Sequence, residues 1–331
     1  MAKLNKRSPQ RCKDKMSNYY GISPIELSTG KTISLFSRNS KTHADEFASQ
    51  YTPGSGIRGL LDSLPHFLAA DGFRAVLKAI RKARDSNKPI LWGIGGHVVK
   101  CGLAPVLIQL MQNGFASGFA MNGATSIHDF EIALAGHTSE EVEAGLPDGS
   151  FGTAEETGRE WNKALLNDAG AGESLGLVLD ALANPLYAEK SLLLEAWRRK
   201  VPVTVHIAIG TDTTHAHPAM DPAMLGIATY KDFLLFATLV ARLDQGGVYL
   251  NVGSAVIMPE VFLKALSSVR NLGHRVEAFT TVNFDALQHY RPRINVLQRP
   301  HTGPNSQGIG ITGHHEIMIP LLAACLMEGL T

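Results

Sequence analysis

The densest run of reactive side chains in this sequence is Thr211-Asp212-Thr213-Thr214-His215-Ala216-His217-Pro218-Ala219-Met220-Asp221. Imidazoles titrate near neutral pH, so His215 and His217 are candidates for moving protons, with Asp212 as the neighbouring carboxylate. In an extended chain their alternation puts both histidines on one side. With His206 or Asp221, the same residues could instead hold zinc or another divalent ion. A third reading is a polar loop whose histidines bond to backbone or to substrate hydroxyls. His128-Asp129 is a second pair, suited either to orienting a substrate amine or to placing an acid in the first turn of a helix. His314-His315-Glu316 opens an apolar stretch from Ile317 to Leu322, and one histidine of the pair is expected to face the crevice. Cys101 is a weak nucleophile candidate. The chain contains no HExxH.

Glycines and small polar residues supply the second ingredient, a cradle. Gly95-Gly96-His97, Asn122-Gly123-Ala124 and Gly253-Ser254 each follow a short apolar run and precede a helical pattern. Such turns let backbone N–H groups approach phosphate oxygens, with the helix dipole adding to the attraction. Placed at opposite ends of a sheet, Gly95-Gly96 and Gly253-Ser254 would suit the two halves of a dinucleotide. Thr281 and Asn283 close a fifth run and belong to the same candidate set. Neither GxGxxG string, at Gly54–Gly59 or Gly308–Gly313, follows one of the short apolar runs, so the usual dehydrogenase fingerprint is missing. Gly308 and Gly310 read as a flexible turn.

These residues need strands and helices to position them. Short apolar runs stand at Pro89–Gly93, Gly118–Met121, Val201–Ile207, Gly247–Asn251 and Val276–Thr281. A helical pattern covers Gly59–Arg84. Helix-like segments lie near 102–113, 127–136, 155–166, 174–184, 189–199, 230–243, 259–271 and 316–328. Strand–helix–strand alternation predicts an α/β class, a doubly wound and mostly parallel sheet with helices on both faces. The runs are apolar on both parities, as strands covered on both sides are. Ligands of such sheets lie beyond the carboxyl ends of the strands, where every cluster above falls. Residues 51–331 read as one domain behind an irregular basic extension, 1–50, in which Lys3, Lys6, Arg7, Arg11, Lys13 and Lys15 face only Asp14 among the first sixteen residues.

With 331 residues, 44% of them hydrophobic, the chain has material for one large core. A net charge of +1 gives no field that would draw in nucleic acid or an acidic membrane surface. No run approaches the ~18–20 apolar residues that span a bilayer, and no signal-type apolar segment opens the chain. Three scattered cysteines form no CxxC pair, which fits a reducing compartment and a cytoplasmic location. The expected partner is a small-molecule substrate.

From Ile57 to the C-terminus, the order of these turns resembles the deoxyhypusine synthase family. Gly95-Gly96-His97-Val98-Val99-Lys100-Cys101-Gly102 stands where that family has its first NAD-contacting turn. Asn122-Gly123-Ala124 with Ile127-His128-Asp129 is similar to its next turn and the acidic pair behind it, His128 replacing one acid. Pro202 to His215 matches the segment that supplies carboxylates for NAD ribose and polyamine, with Asp212 the only acid and His215 in the other place. Leu250–Ala255 and Phe279–Asp285 parallel two further nucleotide-contacting stretches, and His314 stands at an adenosine-contacting aspartate. The resemblance implies a Rossmann-type fold, an NAD cofactor and a homotetramer with sites at subunit contacts. It also implies hydride transfer from an amine- or alcohol-bearing carbon, with His215, His128 or His217 moving protons. Two departures cut against aminobutyl transfer from spermidine to a protein lysine. Arg291 to His301, where the family's imine-forming lysine would lie, holds no lysine, and an arginine such as Arg299 forms no Schiff base. Met258-Pro259-Glu260 replaces the family's paired histidines. A metal-dependent hydrolase or lyase built on His206–Asp221, and a non-catalytic NAD-binding sensor, are the alternatives.

Overall fold

The structure is a computed structural model that describes residues 19–330. The basic stretch from Lys3 to Lys15 lies outside the described residues. The chain divides into two compact units, Met1–Asp45 and Glu46–Thr331. Within the first, none of the described residues is buried.

In the second unit the elements run α1 (Gly56–Ser63), α2 (Leu68–Asp85), β1 (Ile90–Ile94), α3 (Gly96–Lys100), α4 (Ala104–Gln112), β2 (Gly118–Asn122), α5 (Gly123–Ala135), α6 (Val142–Gly145), α7 (Glu155–Ala164), α8 (Ala171–Leu182) and α9 (Leu192–Arg198). They continue with β3 (Val203–His206), α10 (Pro222–Val240), β4 (Val248–Val252), α11 (Ile257–Asn271), β5 (Thr280–Asp285), β6 (Gln307–Thr312) and α12 (His315–Met327). The six strands form one sheet in the order β3-β2-β1-β4-β5-β6, and every pairing is parallel. This is a doubly wound α/β fold, with the order of two mononucleotide-binding halves meeting between β1 and β4.

Strand parity divides the core in two. Leu91, Ala120 and Tyr249 pack with Phe236, Val240, Phe262 and Leu266 of α10 and α11 on one face. Ile90, Trp92, Ile94, Val248, Leu250 and Val252 point the other way, onto Ile80, Leu107, Phe130, Leu175, Leu194 and Leu322 from α2, α4, α5, α8, α9 and α12. β1 to β5 are buried along almost their whole length, as runs covered on both faces must be.

Three expectations are corrected. The single pattern Gly59–Arg84 is two helices. Pro65 holds Leu64 extended (φ −67°, ψ 149°), and the Arg74 guanidinium donates to the carbonyls of Leu61, Leu64 and Pro65 at 2.8 Å each, satisfying the freed end of α1. Gly308 and Gly310 belong to the edge strand β6; a Cβ at Gly308 would stand 2.1 Å from the Leu297 carbonyl oxygen, so glycine lets the strand pass beneath that loop. And α10, with 19 residues, is long and apolar enough by length and composition to cross a membrane, although Leu225, Ala228, Phe236 and Val240 are buried in the fold.

Candidate active site

The glycine turns after β1 and β4 are neighbours at the centre of the sheet, and not at its opposite ends. Ile94 pairs with Val252, and the Gly95 N–H donates to the Val252 carbonyl at 2.9 Å. A Cβ on Gly95 would lie 2.0 Å from the Gly253 carbonyl oxygen, so the two turns touch through bare backbone. Gly253 has φ +65°, a left-handed conformation that favours glycine, and a Cβ there would stand 3.0 Å from the His315 ring. His315 is buried and donates from Nε2 to the Phe284 carbonyl at 3.2 Å.

On the other flank Gly96 packs under α5. Its Cβ would meet His128 Cδ2 at 3.3 Å and the Ala124 methyl at 3.5 Å. Next along the edge is Gly123, whose Cβ would fall 2.0 Å from Asp212 Oδ2. His315, Gly253, Gly95, Gly96, Ala124, Gly123 and Asp212 thus form one continuous row along the carboxyl edge, crossing the point where the winding reverses. Such switch points are where open α/β sheets take ligands.

At the β3 end of this row the polar chemistry is left open. His215 Nδ1 accepts the Gly210 and Asp212 N–H groups at 3.1 and 3.2 Å, so its proton is on Nε2. That Nε2 stands 3.9 Å from Asp212 Oδ2, beyond a hydrogen bond, with both side chains almost fully enclosed. Asp212 Oδ2, Thr214 Oγ1 and His215 Nε2 are all buried without a partner. Only two other buried side-chain atoms among the described residues share that state, Tyr249 Oη and Asn251 Oδ1. An orphaned polar atom costs on the order of 1–3 kcal/mol, so three within one turn are a concentrated cost to the fold. Burial raises the Asp212 carboxyl above its ordinary value, against a smaller opposing pull from His215.

His128 is tuned differently. Thr138 Oγ1 donates to the Glu131 carboxylate, which Thr157 also bonds at 2.9 Å. The Thr138 oxygen therefore accepts from His128 Nδ1–H at 2.8 Å, leaving Nε2 as an acceptor. Burial, with Lys100 nearby, pushes His128 down to about 4, so it is a neutral ring near Gly96 and a poor proton carrier at neutral pH.

Several sequence candidates are corrected. The stretch around His215 is a 3-10 turn, so His217 does not share its side; it packs on Gly158, approaches Glu155 at 3.2 Å and accepts the Ala219 N–H. Asp129 is fully buried and caps α9, taking the Ser191 hydroxyl and the Leu192 and Leu193 N–H groups. Its burial and these three bonds keep it away from the row. Thr281 is buried under Val296 and His301. Asn283 lies inside the sheet, bridging Asn251 and Gln288, whose amide reaches the Ile311 carbonyl. His314 is exposed at the N-cap of α12, and His315 is the histidine on the row. His206 and Asp221 do not converge with His215 and His217 on a metal position: His206 is buried against Thr204 and Phe236, and Asp221 caps α10.

Asn122 and Ser254 do lie at the edge, but as helix-entry acceptors, from Thr125 and Met258 respectively. Gly95, Gly96, Gly123, Ala124 and Gly253 line the row, and His97 stands exposed beside it. His315 is legible in hindsight: its spacing with Ile319, Leu322 and Leu326 marks the buried face of α12. Asp285, buried at the carboxyl end of β5, is the other residue that sequence reasoning passes over. A cavity of about 580 Å³ lined by Gly172, Trp197, Pro202, Val203 and Leu235 lies at the amino end of β3, away from the row.

No family model matches the sequence, and no curated protein matches it either. Solved structures do. The chain is similar in fold to part of AgrE. In its ternary complex with ornithine and NAD+, that protein matches 77% of this chain with a TM-score of 0.51 and 14% identity. The chain spans only 32% of AgrE and 31% of ArgZ, an arginine dihydrolase from cyanobacteria. A LOR/SDH protein from Methanococcus maripaludis S2 matches 79% of this chain and 70% of its own, with a TM-score of 0.50 and 14% identity. A putative deoxyhypusine synthase from Entamoeba histolytica is also among the neighbours, over 86% of this chain and 97% of its own, at 10% identity and a TM-score of 0.49. At these identities the likeness is one of fold.

Proposed function

We propose that this chain is an enzyme that holds NAD across the β1/β4 switch point and works on an amine- or alcohol-bearing carbon beside Asp212 and His215. The observation that carries this reading is the cluster of orphaned polar atoms in the Asp212–His215 turn, at one end of a row of glycines of which Gly95 and Gly123 leave no room for a Cβ. The donor set fits such a ligand. Gly95, Gly96 and Gly253 offer bare backbone, His97 an imidazole at the rim, and Ala124 a small wall. A nicotinamide bound there supplies a reversible hydride acceptor.

The chain's own residues would divide the proton work. His215 keeps its proton on Nε2, because two backbone N–H groups occupy Nδ1, so it donates a hydrogen bond to a substrate oxygen or nitrogen. Asp212 Oδ2 is the acceptor for a substrate proton, and its raised pKa brings it closer to the range where a general base is effective. Neutral His128 accepts a hydrogen bond through Nε2 near Gly96. Only one carboxylate serves the substrate end, and Arg299, bonded to Asn295 at 2.9 Å, stands in the stretch where an imine-forming lysine would be needed. Aminobutyl transfer to a protein lysine is therefore not part of the proposal; a labelled-spermidine assay showing transfer would restore it.

The fold relation to AgrE, which binds NAD+ in its own complex, supports the cofactor choice. Calorimetric titration with NAD+ and NADH is the test. One site per chain, weakened at least ~10-fold in Gly253→Val, is expected. Absence of heat with either nucleotide, and none carried through purification, would overturn the reading. A homo-oligomer is part of the same proposal, resting on Ile227, Tyr230 and Leu234, which lie exposed on one stripe of α10.

A further inference from the structure

A second group of donors stands at the edge of this row. His97 and Cys101 are four residues apart, on α3 and its C-cap, and Glu316 lies in the first turn of α12. A ring nitrogen, the Cys101 sulfur and a Glu316 oxygen all lie within 4.8 Å of one another. It is the only such group of three among the described residues. We propose that His97, Cys101 and Glu316 form a site for a zinc-class divalent ion with one coordination position left open. This does not rest on the NAD reading.

The chemistry of the set selects the ion. Thiolate with imidazole and carboxylate suits zinc, which tolerates mixed sulfur, nitrogen and oxygen donors in a tetrahedron. Calcium and magnesium demand oxygen ligands and larger coordination numbers. Metal–ligand bonds of about 2.0–2.3 Å set donors roughly 3.4 Å apart, so the group must close by about an ångström. His97 and Glu316 are exposed side chains, free to turn by that amount, while half-buried Cys101 is the fixed point. Three ligands from one chain complete a tetrahedron only with a fourth donor, a water or a ligand atom. His97 is on the rim beside His315, their rings 5.9 Å apart, so the open position lies at the mouth of the row.

Cobalt(II) is the probe, titrated into the full-length metal-free protein and followed by its visible spectrum. Expected are one equivalent bound, a thiolate-to-cobalt charge-transfer band, and displacement by zinc. Cys101→Ser is expected to abolish the band, and His97→Ala and Glu316→Gln to weaken binding at least ~10-fold. The last two are surface changes whose melting temperatures are expected to match the parent, so loss of binding is not loss of fold. No cobalt or zinc binding, a band that persists in Cys101→Ser, or binding indifferent to all three substitutions would each overturn the proposal. NAD titration of the same samples is scored separately, so the failure of one does not count against the other.

Discussion

His206 shows how burial sets the behaviour of a single residue. It sits at the end of β3 with Phe236 against its ring and Thr204 at its Nε2, and burial pushes it down from 6.5 to about 3. Between those values the unfolded chain binds a proton that the folded chain refuses. Its contribution to stability is therefore complete above pH 6.5 and lost as pH falls toward about 3. His206→Gln can keep the bond to Thr204, so urea melts across roughly pH 7 to 4 are expected to show a flatter acid slope than the parent. Asp212 makes the opposite case. Because its Oδ2 is buried without a partner, Asp212→Asn is expected to leave stability unchanged or raise it by about 0.5–2 kcal/mol while removing the proton acceptor. A substantial loss of stability would mean that Oδ2 has a structural partner after all. At this scale the sequence marks Asp212 and His215 correctly as neighbours. It offers no means of telling that Asp129 is consumed by α9 or Asn283 by the sheet, because those roles depend on partners that only the folded chain brings close.

Among the elements, the β1–α3 and β4–α11 turns are the most constrained. Gly95→Ala puts a methyl carbon into the Gly253 backbone, which cannot yield as a flexible side chain would, so a loss of about 1–3 kcal/mol or more is expected in thermal melts. Gly226→Ala in α10 is the control. Nothing lies within 4 Å of the added carbon, and the helix gains about 0.5–1 kcal/mol in propensity. Equal effects of the two would contradict the close approach of the turns. Helix and strand positions are readable from periodicity and parity, whereas strand order is not. Gly95 and Gly253 therefore read as opposite ends of the sheet, and only the pairing of β1 with β4 brings them together. β6 is hidden in the sequence because Gly308 and Gly310 break the apolar pattern that a covered strand shows, and an edge strand exposed along much of its length does not need that pattern.

For the molecule as a whole, the exposed apolar side chains of α10 bear on assembly. Ile227, Tyr230 and Leu234 are 45%, 61% and 49% exposed at helical spacing, on a helix whose opposite face is core. Sedimentation is expected to give an oligomer, and Leu234→Glu to lower its mass with the fold intact; a parent that sediments as a monomer removes the oligomer from the proposal.

The parallel sheet also has a bearing on synthesis. Ile90 pairs with Val248 on one side, and β2 waits for the long crossover through α5 to α9 before β3 joins it. A nascent chain therefore carries β1 with one unpaired backbone edge until β4, residues 248–252, has left the ribosome. Parallel pairings of such long range form slowly and leave sticky intermediates. Yield in cells is thus expected to rise with added chaperone or slower translation, which expression trials check.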